Sequence, residues 1–113
     1  MATFLISIQL RPVVGREDEF HEWYENTHLD DVLQTTGFTS AQRFGLRPGG
    51  SKKAANSHLA LYFAEGASAE EVLDRLHSTR GERNMAGAVD VADPAEMELQ
   101  IHEALGPLHT PRS

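Results

Sequence analysis

Cysteine is absent from this 113-residue chain. The sequence therefore excludes disulfides, thiolate nucleophiles and cysteine-based metal sites. Clustered positive charge is absent too. The chain has 17 acidic and 10 basic residues and a net charge of −7, and no basic run exceeds the pair Lys52-Lys53. Because phosphate backbones and anionic membranes bind concentrated Lys and Arg, we expect neither nucleic acid nor a membrane as a partner.

Long apolar runs are also missing. The apolar run near the amino terminus covers only residues 4–8 and follows no basic leader, so it is too short for a secretory or membrane-spanning segment. We therefore expect a cytoplasmic protein. A chain of this length typically forms one domain with a sizeable core. We assign residues 1–105 to that domain and the Gly- and Pro-containing residues 106–113 to a tail.

The hydrophobic periodicity predicts two similar halves. Strands are predicted over residues 3–10, 38–46, 57–63 and 96–103, and a first helix over residues 16–26. A second helix should begin after Ser68, because Ser68-Ala69-Glu70-Glu71 has the form of a capping box. The resulting β-α-β-β-α-β order predicts an α+β, ferredoxin-like fold, in which both helices cover one face of a four-stranded antiparallel sheet.

Two connections have less regular patterns. Residues 47–53 are polar and Gly-rich, which predicts an exposed hairpin loop between the second and third strands. Residues 79–93 show no clear period, and we expect Pro94 to interrupt the chain before the last strand.

Alternation along the strands predicts which residues face the helices. We assign three apolar sets to that side: Phe4, Ile6 and Ile8; Leu59, Leu61 and Phe63; Met97, Leu99 and Ile101. The other face would then carry a mixed set: Leu5, Ser7, His58, Ala60, Tyr62, Gln100 and His102. Such a face fits either weak exposure to solvent or burial against a second copy across a polar cavity. We favour the second, which implies a homodimer.

His28 lies where the helical pattern changes phase. Counting from Phe20, the stripe through Trp23 and Tyr24 stays on one side, whereas Leu29, Val32 and Leu33 lie roughly 120° to 220° away. A bend or restart near His28 would bury both sets. The negative end of the helix dipole at the carboxyl end of the first segment, together with the nearby acidic residues, would then favour a protonated His28 imidazole. The residues alone leave two roles open for His28: a general acid or base, or a donor to a free carbonyl at the helix end.

The same region carries a family resemblance. The run Trp23-Tyr24-x3-His28-Leu29-x2-Val32-Leu33-x3-Gly37-Phe38-x2-Ala41-x-Arg43-Phe44 resembles the EthD-like branch of the dimeric α/β-barrel superfamily. The resemblance implies a homodimer in which two sheets form a barrel, with a ligand cavity between each sheet and its helices, and it favours a catalytic His28. Members often carry Pro shortly after the His and before the Gly, where this chain has Asp30 and Thr36. The superfamily includes isomerases, cyclases, dehydratases, cofactor-free monooxygenases and haem-degrading enzymes, so fold kinship alone does not name the reaction.

His28 and Arg43 are the candidate catalytic residues. If Phe38 and Phe44 face the helices, Arg43 points to the opposite side of its strand. There it could hold an anionic or carbonyl oxygen, or pair with one of the acidic residues. The candidate substrate-binding residues are polar or aromatic: Trp23, Tyr24, His58, Tyr62 and Gln100. Core packing is the alternative for Trp23 and Tyr24, and a hydrated or interface position is the alternative for the others.

Metal and nucleotide sites have no support in the sequence. His21 and His28 lie on one helix but about 10.5 Å apart along its axis, too far for one ion to bridge. The glycines around Gly45 and Gly49 lack the strand-to-helix context and the Gly-Lys-Ser/Thr element of phosphate-binding loops. We therefore assign neither a metal nor another cofactor.

Two classes of function remain open. The first is a small cofactor-independent enzyme that performs acid–base chemistry, such as dehydration, cyclisation or isomerisation, on a hydrophobic carbonyl or phenolic metabolite; a cofactor-free monooxygenase is its nearest neighbour. The second is a non-catalytic dimer that binds a small hydrophobic or aromatic ligand.

Overall fold

The computed structural model describes residues 1–47, 58–83 and 92–112. Its strands are β1 (Ala2–Pro12), β2 (Ser40–Gly45), β3 (His58–Gly66) and β4 (Ala92–Glu103), and its α-helices are α1 (Glu17–Trp23), α2 (Leu29–Thr36) and α3 (Ala69–Ser78). A π-helical turn, Tyr24–His28, joins α1 to α2, and a 3-10 turn, Arg80–Glu82, follows α3. The loop predicted over residues 47–53 lies, beyond Arg47, outside the described residues.

The strands form one antiparallel sheet in the order β2-β3-β1-β4. This confirms the predicted α+β, ferredoxin-like βαββαβ fold. Pro94 was expected to interrupt the chain before the last strand, but β4 begins at Ala92 and runs through Pro94. β4 pairs only with β1 at the sheet edge, where a residue without an N–H is tolerated, and the β1–β4 register shifts between Gln9 and Arg11.

The buried core contains residues from β1, β3 and all three α-helices. On β1 the buried residues are the predicted Phe4, Ile6 and Ile8. On β3 the predicted assignment is wrong: Ala60, Tyr62 and Ala64 are buried, whereas Leu59, Leu61 and Phe63 lie on the opposite face. His58 also points to the helix side, because it shares the parity of Ala60 and Tyr62.

A difference in side-chain volume explains the reversal on β3. Both alternating sets on this strand contain apolar residues, so hydrophobicity alone does not distinguish the two faces. Ala60 and Ala64 have short side chains and are buried in the same core as the large rings of Phe20 and Tyr24, where space is limited. The larger Leu and Phe side chains of β3 are therefore left on the other face of the sheet.

That other face carries an apolar patch, which we call the open patch: Leu5, Phe44, Leu59, Leu61 and Phe63. Leu5 is paired with Phe63, and Leu59 with Phe44, so these side chains lie beside each other across the strands. Phe44 is 44% exposed and Phe63 is 43% exposed. Gln100 and His102 pair with Ser7 and Leu5 on the same face.

The ends of the helices follow local sequence signals. α2 ends at Gly37, whose φ of 77° is a left-handed conformation and whose N–H donates to the Leu33 carbonyl. α3 begins after Ser68, whose hydroxyl accepts from the Glu71 N–H at 3.1 Å. The carboxylate of Glu71 accepts from the Ala67 N–H at 3.4 Å, one residue earlier than in a standard capping box.

Replacement of Ser68 by Ala should destabilise the domain by about 0.5–2 kcal/mol, because the Glu71 N–H would lose its acceptor. Chemical denaturation of Ser68→Ala beside the wild type measures this difference. Ser68→Asp is the control, since Asp caps helices about as well as Ser. An unchanged midpoint for Ser68→Ala would show that this cap contributes nothing to stability.

Candidate functional site

A π-helical turn sits at the centre of the candidate site. Its five residues, Tyr24–His28, continue directly from α1 into α2, and the Leu29 N–H donates to the Tyr24 carbonyl, five residues back. Such single turns insert one extra residue into an α-helix and occur frequently at functional sites. The turn replaces the bend or restart that the sequence analysis predicted near His28.

The π turn corrects the phase of the helix. Phe20 and Tyr24 are one α-helical turn apart, as are Leu29 and Val32, but these two pairs would face different sides of an uninterrupted α-helix. The wider turn between Tyr24 and Leu29 brings both pairs, together with His28, into the buried face. One extra residue therefore places an imidazole among core side chains.

Four side chains meet beneath this turn, and we call them the polar core cluster: Trp23, Tyr24, His28 and Tyr62. The rings of Trp23 and His28 are stacked with centroids 4.5 Å apart, and the Tyr24 ring meets His28 edge-on at 4.9 Å. Tyr62 rises from β3 and is fully buried, while Tyr24 is 2% and His28 9% exposed. Helix and sheet thus close around one group of polar rings.

The polar atoms of this cluster are buried without hydrogen bonds. Among the described residues no partner is found for the Trp23 indole nitrogen, the Tyr24 and Tyr62 hydroxyls, or Nδ1 of His28. The two hydroxyls face each other as a hydrogen-bonding pair that acts on both phenol pKa values, although the contact falls short of standard hydrogen-bond geometry. Since an unsatisfied buried polar group costs about 1–3 kcal/mol, four of them together need an explanation, and ligand binding is one.

Burial sets the protonation states of these groups. It is the main cause that lowers the pKa of His28 to about 4, and the Arg83 charge adds to it, so the imidazole is neutral at pH 7. The expectation of a protonated His28 is therefore wrong: in a continuous helix the imidazole meets the apolar core instead of a free carboxyl end. Burial likewise raises the pKa of the Tyr24 and Tyr62 phenols, so both hydroxyls keep their protons as hydrogen-bond donors.

Arg43 lies on the helix side of β2, because it is paired with the buried Ala60. The prediction that it points away from the helices is wrong: Phe44, not Arg43, faces the other side. The Arg43 guanidinium lies over the Tyr24 ring, 5.2 Å from its centroid, and forms an ion pair with Glu25 at 3.1 Å. Arg43 is thus both a salt-bridge partner, as the alternative proposed, and a cation beside the polar core cluster.

Arg43 is held at the edge of the cluster by a histidine that the sequence analysis did not select. Its Nη2 lies 2.8 Å from Nδ1 of His21, which accepts this hydrogen bond when its proton is on Nε2. The His21 ring meets His58 edge-on at 4.6 Å. Burial lowers the pKa of His58, with a smaller contribution from His21. His58 therefore lies beside Arg43 and not within the polar core cluster.

The structure brings together most of the candidate residues and separates one. Trp23, Tyr24, His28 and Tyr62 form the cluster, and Arg43 and His58 adjoin it at the edge. Gln100 lies on the opposite face of the sheet, because its partner Ser7 belongs to that face. Within one chain Gln100 cannot contact a ligand held by the cluster.

Arg83 is the residue near the cluster that sequence analysis missed. Its charge contributes to lowering the pKa of His28, and it interacts electrostatically with Tyr62. Arg83 follows α3 in a segment without clear periodicity. No sequence pattern marks it, because only the packing of α2 against α3 brings it close to His28.

The neutral His28 predicts a pH dependence of stability. Its pKa is about 4 in the folded state and about 6.5 when unfolded, so between these values the unfolded chain binds more protons. The folded state therefore loses up to about 3 kcal/mol of stability as the pH falls from 6.5 towards 4, because the unfolded chain gains a proton that the buried imidazole does not. The measurement is the free energy of unfolding of the wild type and of His28→Gln from pH 7 to pH 4.5. The difference between the two proteins isolates the effect of His28, because the carboxylates titrate in both. A constant difference across that range would contradict the burial of a neutral His28.

The described residues contain neither a cluster of metal-ligating side chains nor a helix that could span a membrane. No group of three or more His, Asp or Glu side chains in that part of the chain could hold a metal ion. Within the same residues, no helix is both long and apolar enough to cross a bilayer.

Comparisons with known proteins place this architecture. No protein-family model matches the chain, and no curated protein matches its sequence. Solved structures do match: an EthD-like protein from Ralstonia eutropha has a TM-score of 0.67 and 17% identity, over 94% of this chain and 95% of that chain. An EthD family protein from Bacillus halodurans has a TM-score of 0.58 and 17% identity, over 93% and 100% of the two chains.

A third similar structure carries an assigned activity. SnoaB from Streptomyces nogalater, described as a cofactor-independent oxygenase, has a TM-score of 0.59 and 14% identity, over 97% of this chain and 98% of its own. Identities at this level show the fold and not the reaction. The chain therefore has the ferredoxin-like fold of the EthD-like proteins, as the resemblance of residues 23–44 predicted.

Proposed function

We propose that this protein is a cofactor-independent enzyme that moves protons on a hydrophobic carbonyl or phenolic metabolite bound at the polar core cluster. The observation that carries the proposal is the burial of four polar groups at one π turn, on Trp23, Tyr24, His28 and Tyr62, for which the described part of the chain supplies no hydrogen-bond partner of standard geometry. Three of them are donors suited to an oxygen atom, and the fourth is an imidazole nitrogen. The flat rings around them suit an aromatic ligand.

His28 is the proposed general base. Because its pKa lies well below neutrality, the imidazole is free of its proton at pH 7 and needs no prior deprotonation. With the ring proton on Nε2, the Nδ1 lone pair takes a proton from a phenolic oxygen or from carbon next to a carbonyl. The electron pair that is left moves onto the substrate oxygen as an oxyanion, and the imidazolium then returns its proton at another position or to water.

Tyr24 and Tyr62 are the proposed oxyanion donors. Their phenols keep their protons because burial raises both pKa values, and both hydroxyls lie beneath the π turn without another partner among the described residues. The Arg43 cation above the Tyr24 ring acts in the opposite direction on that pKa and strengthens the hydroxyl as a donor. Donors fixed in a dry site stabilise developing negative charge far better than they would in water.

Proton exchange tests the proposed chemistry without knowledge of the natural substrate. The protein is incubated with 2-tetralone, an aromatic ketone with acidic protons next to its carbonyl, in deuterated buffer. We expect deuterium incorporation, followed by nuclear magnetic resonance, above the rate in buffer alone. If neither 2-tetralone nor a panel of related ketones and naphthols exchanges faster than in buffer, the protein is a binding module or lacks this chemistry.

A cofactor-free monooxygenase is the second candidate, favoured by the similarity to SnoaB over almost the whole chain. The first step would be the same, because deprotonation of a phenol yields an electron-rich anion that can react with molecular oxygen. Oxygen consumption with dihydroxynaphthalenes, above the rate of their spontaneous oxidation, would support this candidate. Proton exchange without oxygen consumption would support the isomerase, cyclase or dehydratase class.

We also propose that the protein acts as a homodimer in the cytoplasm. The open patch places five large apolar side chains on a sheet face that none of the helices within residues 1–47, 58–83 and 92–112 covers. Apolar patches of this kind mark association surfaces. Pairing of two such faces would form the α/β barrel that the family resemblance implies. The cytoplasmic location stays a prediction from the sequence.

A further inference from the structure

Arg83 is fixed in place by oxygens from two helices. Its Nη1 donates to Oγ1 of Thr35 at 3.0 Å and to Oγ1 of Thr79 at 2.8 Å, and its Nη2 donates to the Leu76 carbonyl at 2.7 Å. Thr35 lies on α2, whereas Leu76 lies on α3 and Thr79 directly follows it. The guanidinium therefore bridges the two helices.

The hydroxyls that hold Arg83 are themselves oriented. Thr35 donates its proton to the Asp31 carbonyl at 2.8 Å, and Thr79 donates to the Arg75 carbonyl at 2.6 Å. Each hydroxyl has one proton, so each can only accept from Arg83. All three hydrogen-bond acceptors of Arg83 are neutral oxygens. The carboxylates of Asp31 and Glu82 act on the guanidinium charge electrostatically, but neither is one of these hydrogen-bond acceptors.

One N–H of this guanidinium remains. The Arg83 Nε is buried and has no hydrogen-bond partner among the described residues, like the Tyr62 hydroxyl and Nδ1 of His28. Arg83 interacts electrostatically with both of those side chains, so the three unpartnered groups belong to one neighbourhood. A buried cationic N–H without an acceptor is costly, and a negatively charged oxygen is the acceptor that offsets this cost best.

We propose that Arg83 binds an anionic oxygen of the ligand through Nε, and that the site therefore selects phenolates or enolates over neutral compounds of the same shape. This rests on the proposed function, since it names the charge state of the substrate at that site. The other hydrogen bonds of Arg83 hold the guanidinium in place before the ligand arrives, which reduces the entropy lost on binding.

Binding of two matched probes tests this inference. 4-Nitrophenol ionises near neutral pH, whereas 4-nitroanisole has almost the same shape and cannot ionise. At pH 8.5 we expect the wild type to bind 4-nitrophenolate more tightly than 4-nitroanisole. Arg83→Met should weaken the binding of 4-nitrophenolate by about tenfold or more, the usual scale for losing a hydrogen bond to a charged group. The affinity for 4-nitroanisole should stay nearly unchanged. The ionisation of bound 4-nitrophenol, followed at 400 nm, should shift to higher pH in this variant.

Arg75→Met is the matched structural control. Arg75 also ties α3 to its surroundings: Nη1 donates to the Thr36 carbonyl at 3.2 Å, and Nε forms an ion pair with Glu71 at 2.8 Å. Its loss should lower stability without changing the preference for phenolate. Thr35→Val keeps Arg83 and removes one of its acceptors, so it should give a smaller loss of the same preference.

Three results would overturn the inference: a wild type that binds neither probe or shows no preference, an Arg83→Met variant that keeps the preference, or equal losses for both probes. These results are separate from the test of the proposed function. Phenolate selectivity that depends on Arg83 without any proton exchange would refute the proposed reaction alone. Proton exchange that depends on His28 but not on Arg83, together with an unchanged preference for the phenolate in Arg83→Met, would refute this inference alone.

Discussion

His28→Gln should lower the rate of proton exchange in 2-tetralone by roughly a hundredfold or more, the usual scale for losing a general base. Gln keeps hydrogen-bonding capacity and similar size but cannot take a proton near neutral pH. Because His28 is neutral in the folded protein, its replacement removes no charge, and the melting temperature at pH 7 should change little. The measurement is the exchange rate per folded molecule, with the folded fraction taken from circular dichroism.

His77→Gln is the control for this substitution, since His77 is an exposed histidine near the end of α3. It should keep the wild-type exchange rate. Retention of exchange in folded His28→Gln would eliminate His28 as the base and leave its stacking on Trp23 as a structural role. Unchanged ligand affinity with no exchange in either protein would identify a binding module.

Leu61→Asp should convert the protein from a dimer to a monomer at micromolar concentration. Leu61 lies in the open patch, between Ser7 and Gln42 on the neighbouring strands. A carboxylate there would be buried in the proposed interface without a partner, and such central changes typically cost 2 kcal/mol or more. The dissociation constant should therefore rise by roughly thirtyfold or more, as measured by sedimentation equilibrium.

Val14→Asp is the matched control for the interface. Val14 is 87% exposed in the turn after β1, outside the open patch, and the same charge there should leave the dimer intact. A wild type that sediments as a monomer would remove the barrel and its interface together. A dimer that survives Leu61→Asp would place the interface on another surface.

Secondary structure and chain order could be predicted from the sequence because their signals are local. The Ser68 cap and the alternation of β1 each depend on a few neighbouring residues, and the structure confirms both. Pro94 was expected to break a strand, but its effect depends on whether that strand lies at an edge. Only the sheet order, with β4 outermost, decides this.

The composition of the site was harder to predict than its central residue. Sequence patterns pointed to His28 and to its aromatic neighbours, and the structure does gather Trp23, Tyr24 and Tyr62 around it. The face of Tyr62 was predicted wrongly because both alternating sets on β3 contain apolar residues. The direction of Arg43 was predicted wrongly because it followed from the assumption that Phe44 faces the helices. Arg83 could not be found at all, since it meets the cluster through contacts distant in sequence.

By itself the sequence determined the ferredoxin-like order of elements, the phase change at His28 and the absence of thiol chemistry, all of which follow from residue type and short-range spacing. Only the tertiary structure decided how the phase change is accommodated, which face of β3 is buried and which proton state His28 adopts. These depend on volume and dielectric environment, which arise when distant segments pack together. The π turn places the imidazole in the buried face of the helix, and that burial keeps His28 neutral at pH 7.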